Sequence, residues 1–300
     1  MPRLSAVFAS LLAVAPVFGV PTGGFNAKMI EKRQEMASSG LTDIDILNFA
    51  LTAEHLEATF YKQGLQMFPQ QDFTALGVSQ TDYNNLKQVA TTEATHVTAL
   101  TAAIKAAGAT PVQQCSYKFG FTNAQGMIAT ANALEGVGIS AYLGAAPLIN
   151  SSMVLGTAAT IATVEARHSA FLRLAGKMAP VPNAFDTPLG PRGVFTIAAQ
   201  FIQSCPQGSN LNITPFPAIQ VNNATGIKSG ESLVLQNTQM PAGASTCGFM
   251  NQGMMMFTPL TNGACGVPTG LTGDAYMVVT NGQSTADSAV IAGPSLLTFS

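Results

Sequence analysis

Between Thr42 and Gly176, apolar residues recur at helical spacing in four long stretches. The first begins after Thr42, with Asp45 at the capping-box position, and runs to about Leu65; Ile44, Leu47, Leu51, Ala58 and Leu65 mark its apolar face. The second starts after Ser79, with Asp82 three residues on, and stops at Gly108. The third starts after Thr122, with Gln125 at the box position, and runs to about Ala146, before Pro147. The fourth runs from near Ser152 to just before Gly176. Each is about 22 to 28 residues, or roughly 35 to 40 Å. A shorter fifth helix fits Pro191 to Ser204. Beyond about residue 206 the pattern changes to short β-branched runs broken by Gly, Pro and Asn. Ser232–Leu235, Ala275–Thr280 and Ala289–Ala292 read as strands, with turn signals at Asn262-Gly263, Asn281-Gly282 and Gly293-Pro294. The pattern predicts an α+β multidomain fold: a helical bundle over 41–206, then a small all-β, sandwich-like domain over 207–300.

The connections constrain the bundle. Only a few residues around Asn150 join the third and fourth helices, so these must be antiparallel neighbours. The link from Gly108 to Phe121 has about 14 residues and, extended, reaches roughly 45 Å, enough to cross the bundle lengthwise. One long crossover is expected, rather than a simple up-down-up-down arrangement.

Charge changes the picture. Only 9% of residues are charged and 47% are hydrophobic, against about 25% charged in ordinary soluble chains, so uncharged polar residues must cover the surface. A net charge of -2 excludes a basic nucleic-acid footprint. Three histidines exclude any site that needs four. The third helix is apolar nearly all round, but Glu135 at its centre would be costly in lipid, which favours a bundle-buried helix. Met250 and Met254–Met256 offer soft thioethers suited to Cu(I), though the core of the β domain suits them better.

The N-terminus reads as an export signal: Arg3, then an apolar run from Leu4 to Phe18, giving a signal peptide over 1–19 and no stable membrane span after its removal. Residues 20–40 read as a linker or propeptide with a dibasic Lys32-Arg33. Cys115, Cys205, Cys247 and Cys265 form no CxxC, and an even count in an oxidising compartment suggests two disulfides. Of three connectivities, Cys115–Cys205 with Cys247–Cys265 keeps each bridge inside one domain. Asn150, Asn212 and Asn223 head glycosylation sequons. The expected location is extracellular or in a cell wall, where wall contact or self-association is open to the chain.

Acids inside apolar helices carry the chemistry. Glu54, Glu57, Glu93, Glu135 and Glu165 sit mid-helix. Two histidines follow a glutamate by three residues, in Glu93-Ala-Thr-His96 and Glu165-Ala-Arg-His168, a spacing that puts both on one helix face and aims a carboxylate and an imidazole at one centre. Glu54, Glu93, Glu135 and Glu165 each lie about 12 to 14 residues into their helices, hence in one layer of a bundle. Tyr61 follows Glu54 by seven residues and Tyr142 follows Glu135 by seven. Each half of the bundle thus reads Glu…Tyr then ExxH, which implies a pseudo-two-fold axis. His55, next to Glu54, turns away by about 100° and belongs to the helix surface or an interface.

In these motifs the chain resembles the ferritin-like di-metal carboxylate proteins. Through Leu47-Asn-Phe-Ala-Leu51, Glu54-His-Leu-Glu-Ala-Thr-Phe-Tyr61, Glu165-Ala-Arg-His168 and Phe201-Ile-Gln-Ser-Cys-Pro206, it is similar to secreted fungal stress-response and late sexual development proteins and to plant desiccation-related proteins. The resemblance covers about residues 40 to 206. It implies two Fe or Mn ions bridged by Glu93 and Glu165, one completed by Glu54 with His96 and the other by Glu135 with His168. Glu57 is an alternative to Glu54. Tyr61 and Tyr142 are core tyrosines or donors to the ligands. The carboxylate that often supports the last histidine in that family is missing; Ser169 follows His168. The implied function is oxidoreductase-like chemistry on O2 or peroxide. The competing expectation is a non-enzymatic stress or cell-surface protein with the bundle as scaffold.

Overall fold

The structure is a computed structural model and describes residues 40–209, 211, 213–222, 224–236 and 242–299. The proposed signal, the segment up to residue 39, Asn212 and Asn223 lie outside the described residues.

Helix α1 (Asp43–Met67) opens on the expected capping box: the Thr42 hydroxyl accepts the Asp45 N–H, and the Asp45 carboxylate accepts the Thr42 N–H at 2.8 Å. A short helix α2 (Gln70–Thr74) leads to α3 (Gln80–Ala106), capped by Ser79. Helix α4 (Ala124–Ala145) starts one residue later than the pattern predicted. Its cap is Asn123, whose side chain accepts the Gly126 N–H at 2.7 Å, and asparagine is a better cap than threonine. A single 3-10 turn (Ala146–Leu148) leads to α5 (Ser152–Ala175), with Asn150 exposed in the bend.

Helix α6 (Pro191–Ala199) is shorter than predicted. Ile202–Ser204 is not helical but forms strand β2, paired antiparallel with β1 (Ser116–Tyr117) of the interhelical crossover. The Lys118 N–H donates to Phe201 O at 2.8 Å, and the Cys115–Cys205 disulfide closes the pair. A backbone edge held alongside overrides weak local helicity.

Buried clusters give the helix directions. The start of α1 (Leu47, Leu51) shares a core with the end of α3 (Leu100, Ile104), and its end (Phe60, Phe68) with the start of α3 (Leu86, Val89). The same relation holds between α4 (Met127, Tyr142) and α5 (Leu172, Ile161). Early α1 (Ile46, Phe49) likewise meets late α4 (Ala141, Ala145). Hence α3 and α4 run parallel, and residues 107–123 must cross the whole bundle, as the long link predicted.

The C-terminal part adds β3 (Thr225–Ile227), β4 (Ser232–Val234), β5 (Thr246–Asn251), β6 (Met254–Thr261), β7 (Ala264–Gly266), β8 (Asp274–Thr280) and β9 (Val290–Phe299). They form one seven-stranded sheet in the order β3-β9-β8-β5-β6-β7-β4. Ile227 on one edge and Leu233 on the other share a core with Phe249, Met277 and Leu297, so the sheet curls over its own apolar face. Asn262-Gly263 makes the β6–β7 turn with both residues at positive φ, 50° and 73°. Gly293-Pro294, expected as a turn, lies inside β9. Gly293 adopts φ 98° and donates its N–H to Pro217 O, so the strand bends and continues. The second disulfide, Cys247–Cys265, joins β5 to β7 across β6.

The sheet's other face covers the bundle. Val137, Ala141 and Ala145 of α4 share a cluster with Met250, Tyr276 and Val278. This explains an α4 that is apolar all round: the bundle interior takes one side and the β domain the other. The Tyr276 hydroxyl donates to Ser140 Oγ at 2.7 Å, and Arg173 of α5 pairs with Asp274 of β8 at 3.0 Å. Among the described residues no helix is long and apolar enough to cross a membrane.

Candidate metal centre

The four bundle helices bring Glu54 and Glu57 (α1), Glu93 and His96 (α3), Glu135 (α4), and Glu165 and His168 (α5) into one buried layer. Glu54, Glu93, Glu135 and Glu165 are 0% exposed. Two overlapping groups have ligand atoms within 4.8 Å of one another: Glu54, Glu93, His96 and Glu165; and Glu93, Glu135, Glu165 and His168. Glu93 and Glu165 belong to both. The helices run antiparallel within each half, and each polar side chain lies near the middle of its helix, so four separate helices meet at one height.

His96 Nδ1 lies 3.2 Å from Glu54 Oε2, Glu93 Oε2 and Glu165 Oε1. His168 Nδ1 lies 2.7 Å from Glu93 Oε1 and 3.2 Å from Glu135 Oε2. The tyrosines close the pattern reciprocally. Tyr61 of α1 donates to Glu135 of α4, and Tyr142 of α4 donates to Glu54 of α1. In an antiparallel pair, a seven-residue offset on each helix puts each tyrosine level with the other's glutamate. Burial and the adjacent carboxylates hold both phenols well above their ordinary pKa.

Without metal, the layer is balanced by protons. Burial and neighbouring acids raise Glu54, Glu57 and Glu165 well above the usual carboxylate range, and burial raises Glu135. Burial opposes ionisation of Glu93 too, but hydrogen bonds from His168 and His96 outweigh it and hold the group at about 2. Burial disfavours the imidazolium of His96, yet its carboxylate partners raise it to about 12; the same balance puts His168 at about 10. Arg173, the buried cation of α5, is engaged by Asp274.

Do these residues fit a metal pair? Among the described residues Glu165 Oε2 is buried with no hydrogen-bond partner, while Glu93 Oε1 and Glu165 Oε1, also buried, meet only the histidine Nδ1 atoms at 2.7 and 3.2 Å, without hydrogen-bond geometry. These oxygens belong to the two residues common to both groups, where shared ligands are needed. Oxygen and imidazole donors suit Fe or Mn. The residues therefore fit, with Glu93 and Glu165 as the shared pair.

Two positions go beyond the sequence reading. Thr92, one residue before Glu93, places its hydroxyl 3.0 Å from His168 Nε2, so a hydroxyl stands where a supporting carboxylate was missed. Its only sequence signal is a polar residue on the α3 face toward α5; nothing in α5 itself reveals it. Gly138 makes room for Glu57: a Cβ there would lie 2.8 Å from Glu57 Oε1 and 3.1 Å from Glu165 Oε2. Glu57 is thus buried against Glu165 but belongs to neither four-residue group. His55 turns away as expected, its Nε2 3.3 Å from Val112 O in the crossover.

A family profile described as a ferritin-like domain matches residues 42–177. The match covers less than half of the chain, and the bundle it spans has a ferritin-like fold. Among curated proteins, the chain is 24% identical to Protein rds1 of Schizosaccharomyces pombe over 210 residues, 70% of this chain and 51% of that protein. The chain therefore spans about half the length of that relative. The matched region ends before α6, so the β strands β3–β9 lie outside it and the Cys115–Cys205 closure lies partly outside it.

Proposed function

We propose that the chain is a secreted di-metal protein whose ferritin-like domain holds two Fe or Mn ions for redox chemistry on O2 or peroxide. The observation that carries this reading is the pair of overlapping Glu/His groups sharing Glu93 and Glu165, with Glu165 Oε2 buried and unpartnered among the described residues. When bound, such ions supply an electron couple and open positions for a small oxidant. The protein's own residues do the rest. Glu54 with His96, and Glu135 with His168, complete the two positions. Tyr142 and Tyr61 donate to Glu54 and Glu135, fixing which carboxylate oxygen remains free to coordinate. Leu51, Phe60, Leu100 and Leu172 are fully buried nearby and keep the layer dry. Loading must release protons, because His96, His168 and the raised acids hold them in the metal-free state. The two disulfides support the extracellular part of the reading.

One observation favours a second reading, a non-enzymatic stress or cell-surface protein on a bundle scaffold: the same histidines neutralise the acid cluster without metal. Elemental analysis of protein purified from its native host, with a peroxide-turnover assay, separates the two. About two Fe or Mn per chain and chelator-sensitive turnover support the di-metal reading; a metal-free, inactive protein gives the scaffold reading.

A further inference from the structure

The two halves of the centre are related by sequence, and the relation fails at one informative position. Thr92-Glu93-Ala94-Thr95-His96 of α3 matches Val164-Glu165-Ala166-Arg167-His168 of α5. Thr92 reaches across to His168: its hydroxyl donates to Val89 O at 2.7 Å, which leaves its lone pairs to accept the Nε2–H of His168 at 3.0 Å. That bond fixes the proton on Nε2 and leaves Nδ1, which faces Glu93 and Glu135, for a ligand. The residue at the corresponding position of α5 is Val164, which has no polar side-chain atom, and among the described residues no hydrogen-bond partner is found for His96 Nε2.

We propose, resting on the di-metal reading, that Thr92 makes the two metal positions inequivalent: the position of Glu135 and His168 is the pre-oriented, tighter one that fills first, and the position of Glu54 and His96 is the weaker, exchangeable one. A partner on the far ring nitrogen holds a ligating histidine in its tautomer and orientation, and losing such a partner typically lowers metal affinity about 10- to 100-fold. Glu57 does not reverse this order. It lies near Glu165, which both positions share, so it bears on both alike.

The test is a titration of the full, chelator-stripped chain with Co(II), followed by calorimetry and by the ligand-field absorption of the bound ion. Wild type is expected to take two ions in two resolved steps. Thr92→Val, close to isosteric, should weaken the tight step about 10- to 100-fold and alter its absorption. Thr92→Ser should restore both. Val164→Thr should strengthen the weak step, so that the two converge. Glu135→Ala should abolish the tight step and leave the weak one. Two equal steps in wild type, or a Thr92→Val protein that folds and titrates like wild type, would overturn the proposal. If Thr92→Val does not fold, Val164→Thr decides: an unchanged weak step refutes it. Failure of wild type to bind two ions would instead sink the di-metal reading, a distinguishable result.

Discussion

Gly138 offers a sharp test of how the centre is packed. It lies inside α4, where glycine is about 1 kcal/mol worse than alanine. In open space Gly138→Ala should therefore stabilise the protein by about that amount. The space is not open: the added methyl would meet Glu57 Oε1 at 2.8 Å and Glu165 Oε2 at 3.1 Å. Overpacking of this kind costs about 1 to 3 kcal/mol, so the net effect should be a loss of about 0 to 2 kcal/mol. Removing Glu57 removes the nearer obstacle. In a Glu57→Ala background the same substitution should fill part of the vacated space and gain about 1 kcal/mol. The double-mutant cycle should thus show a coupling of about 1 to 3 kcal/mol. The assay is the thermal midpoint of chelated protein for all four members of the cycle; each kcal/mol corresponds to about 2 to 4 °C in a chain of this size class. Metal content is read in parallel, and Gly138→Ala should lower it by displacing Glu165. A single Gly138→Ala variant that is more stable than wild type and binds its full metal complement would refute the claim that this glycine reserves space for Glu57.

Three further outcomes follow from the same geometry. Glu93→Ala or Glu165→Ala should abolish paired metal binding, whereas Glu54→Ala should retain one ion; equal metal loss in all three, measured per chain, defeats the sharing assignment. The metal-free protein should lose stability as pH rises from about 5 to 8: Glu54, Glu57, Glu135 and Glu165 have folded pKa values above their unfolded ones, as do His96 and His168, so the folded state holds protons that the unfolded chain releases over this window. Glu93, lowered to about 2, works in the opposite sense only at more acid pH, and a thermal midpoint that rises across the window in chelator would contradict the proton balance. Breaking Cys115–Cys205, which spans 90 residues, should cost about 4 to 5 kcal/mol, and breaking Cys247–Cys265, which spans 18, about 3; denaturant unfolding of the Cys→Ser pairs that gave the reverse order would fail this expectation.

The helices, their order and the identity of the buried acids were legible in the sequence because each depends on local chemistry. Capping residues, a 3.6-residue apolar period and an i, i+3 Glu/His pair are set by neighbours along the chain. The reciprocal tyrosines were readable as a seven-residue echo, although only the antiparallel packing of α1 on α4 shows that each tyrosine serves the other helix's glutamate. What needed tertiary structure depends on groups far apart in sequence. Ile202–Ser204 left the helix because β1 offered a partner. Gly293-Pro294 stayed in a strand because Pro217 received its N–H. Thr92 became a partner of His168, and Gly138 a space for Glu57, only when helices α1, α3, α4 and α5 met in one layer. The periodicity of α4 could show that it was buried all round but not by what; the β sheet covering its outer face supplied that. Local hydrogen bonding and amphipathicity act over a few residues and are written in order along the chain. Packing and electrostatics act over a few ångströms, and which residues lie that close is decided by the fold.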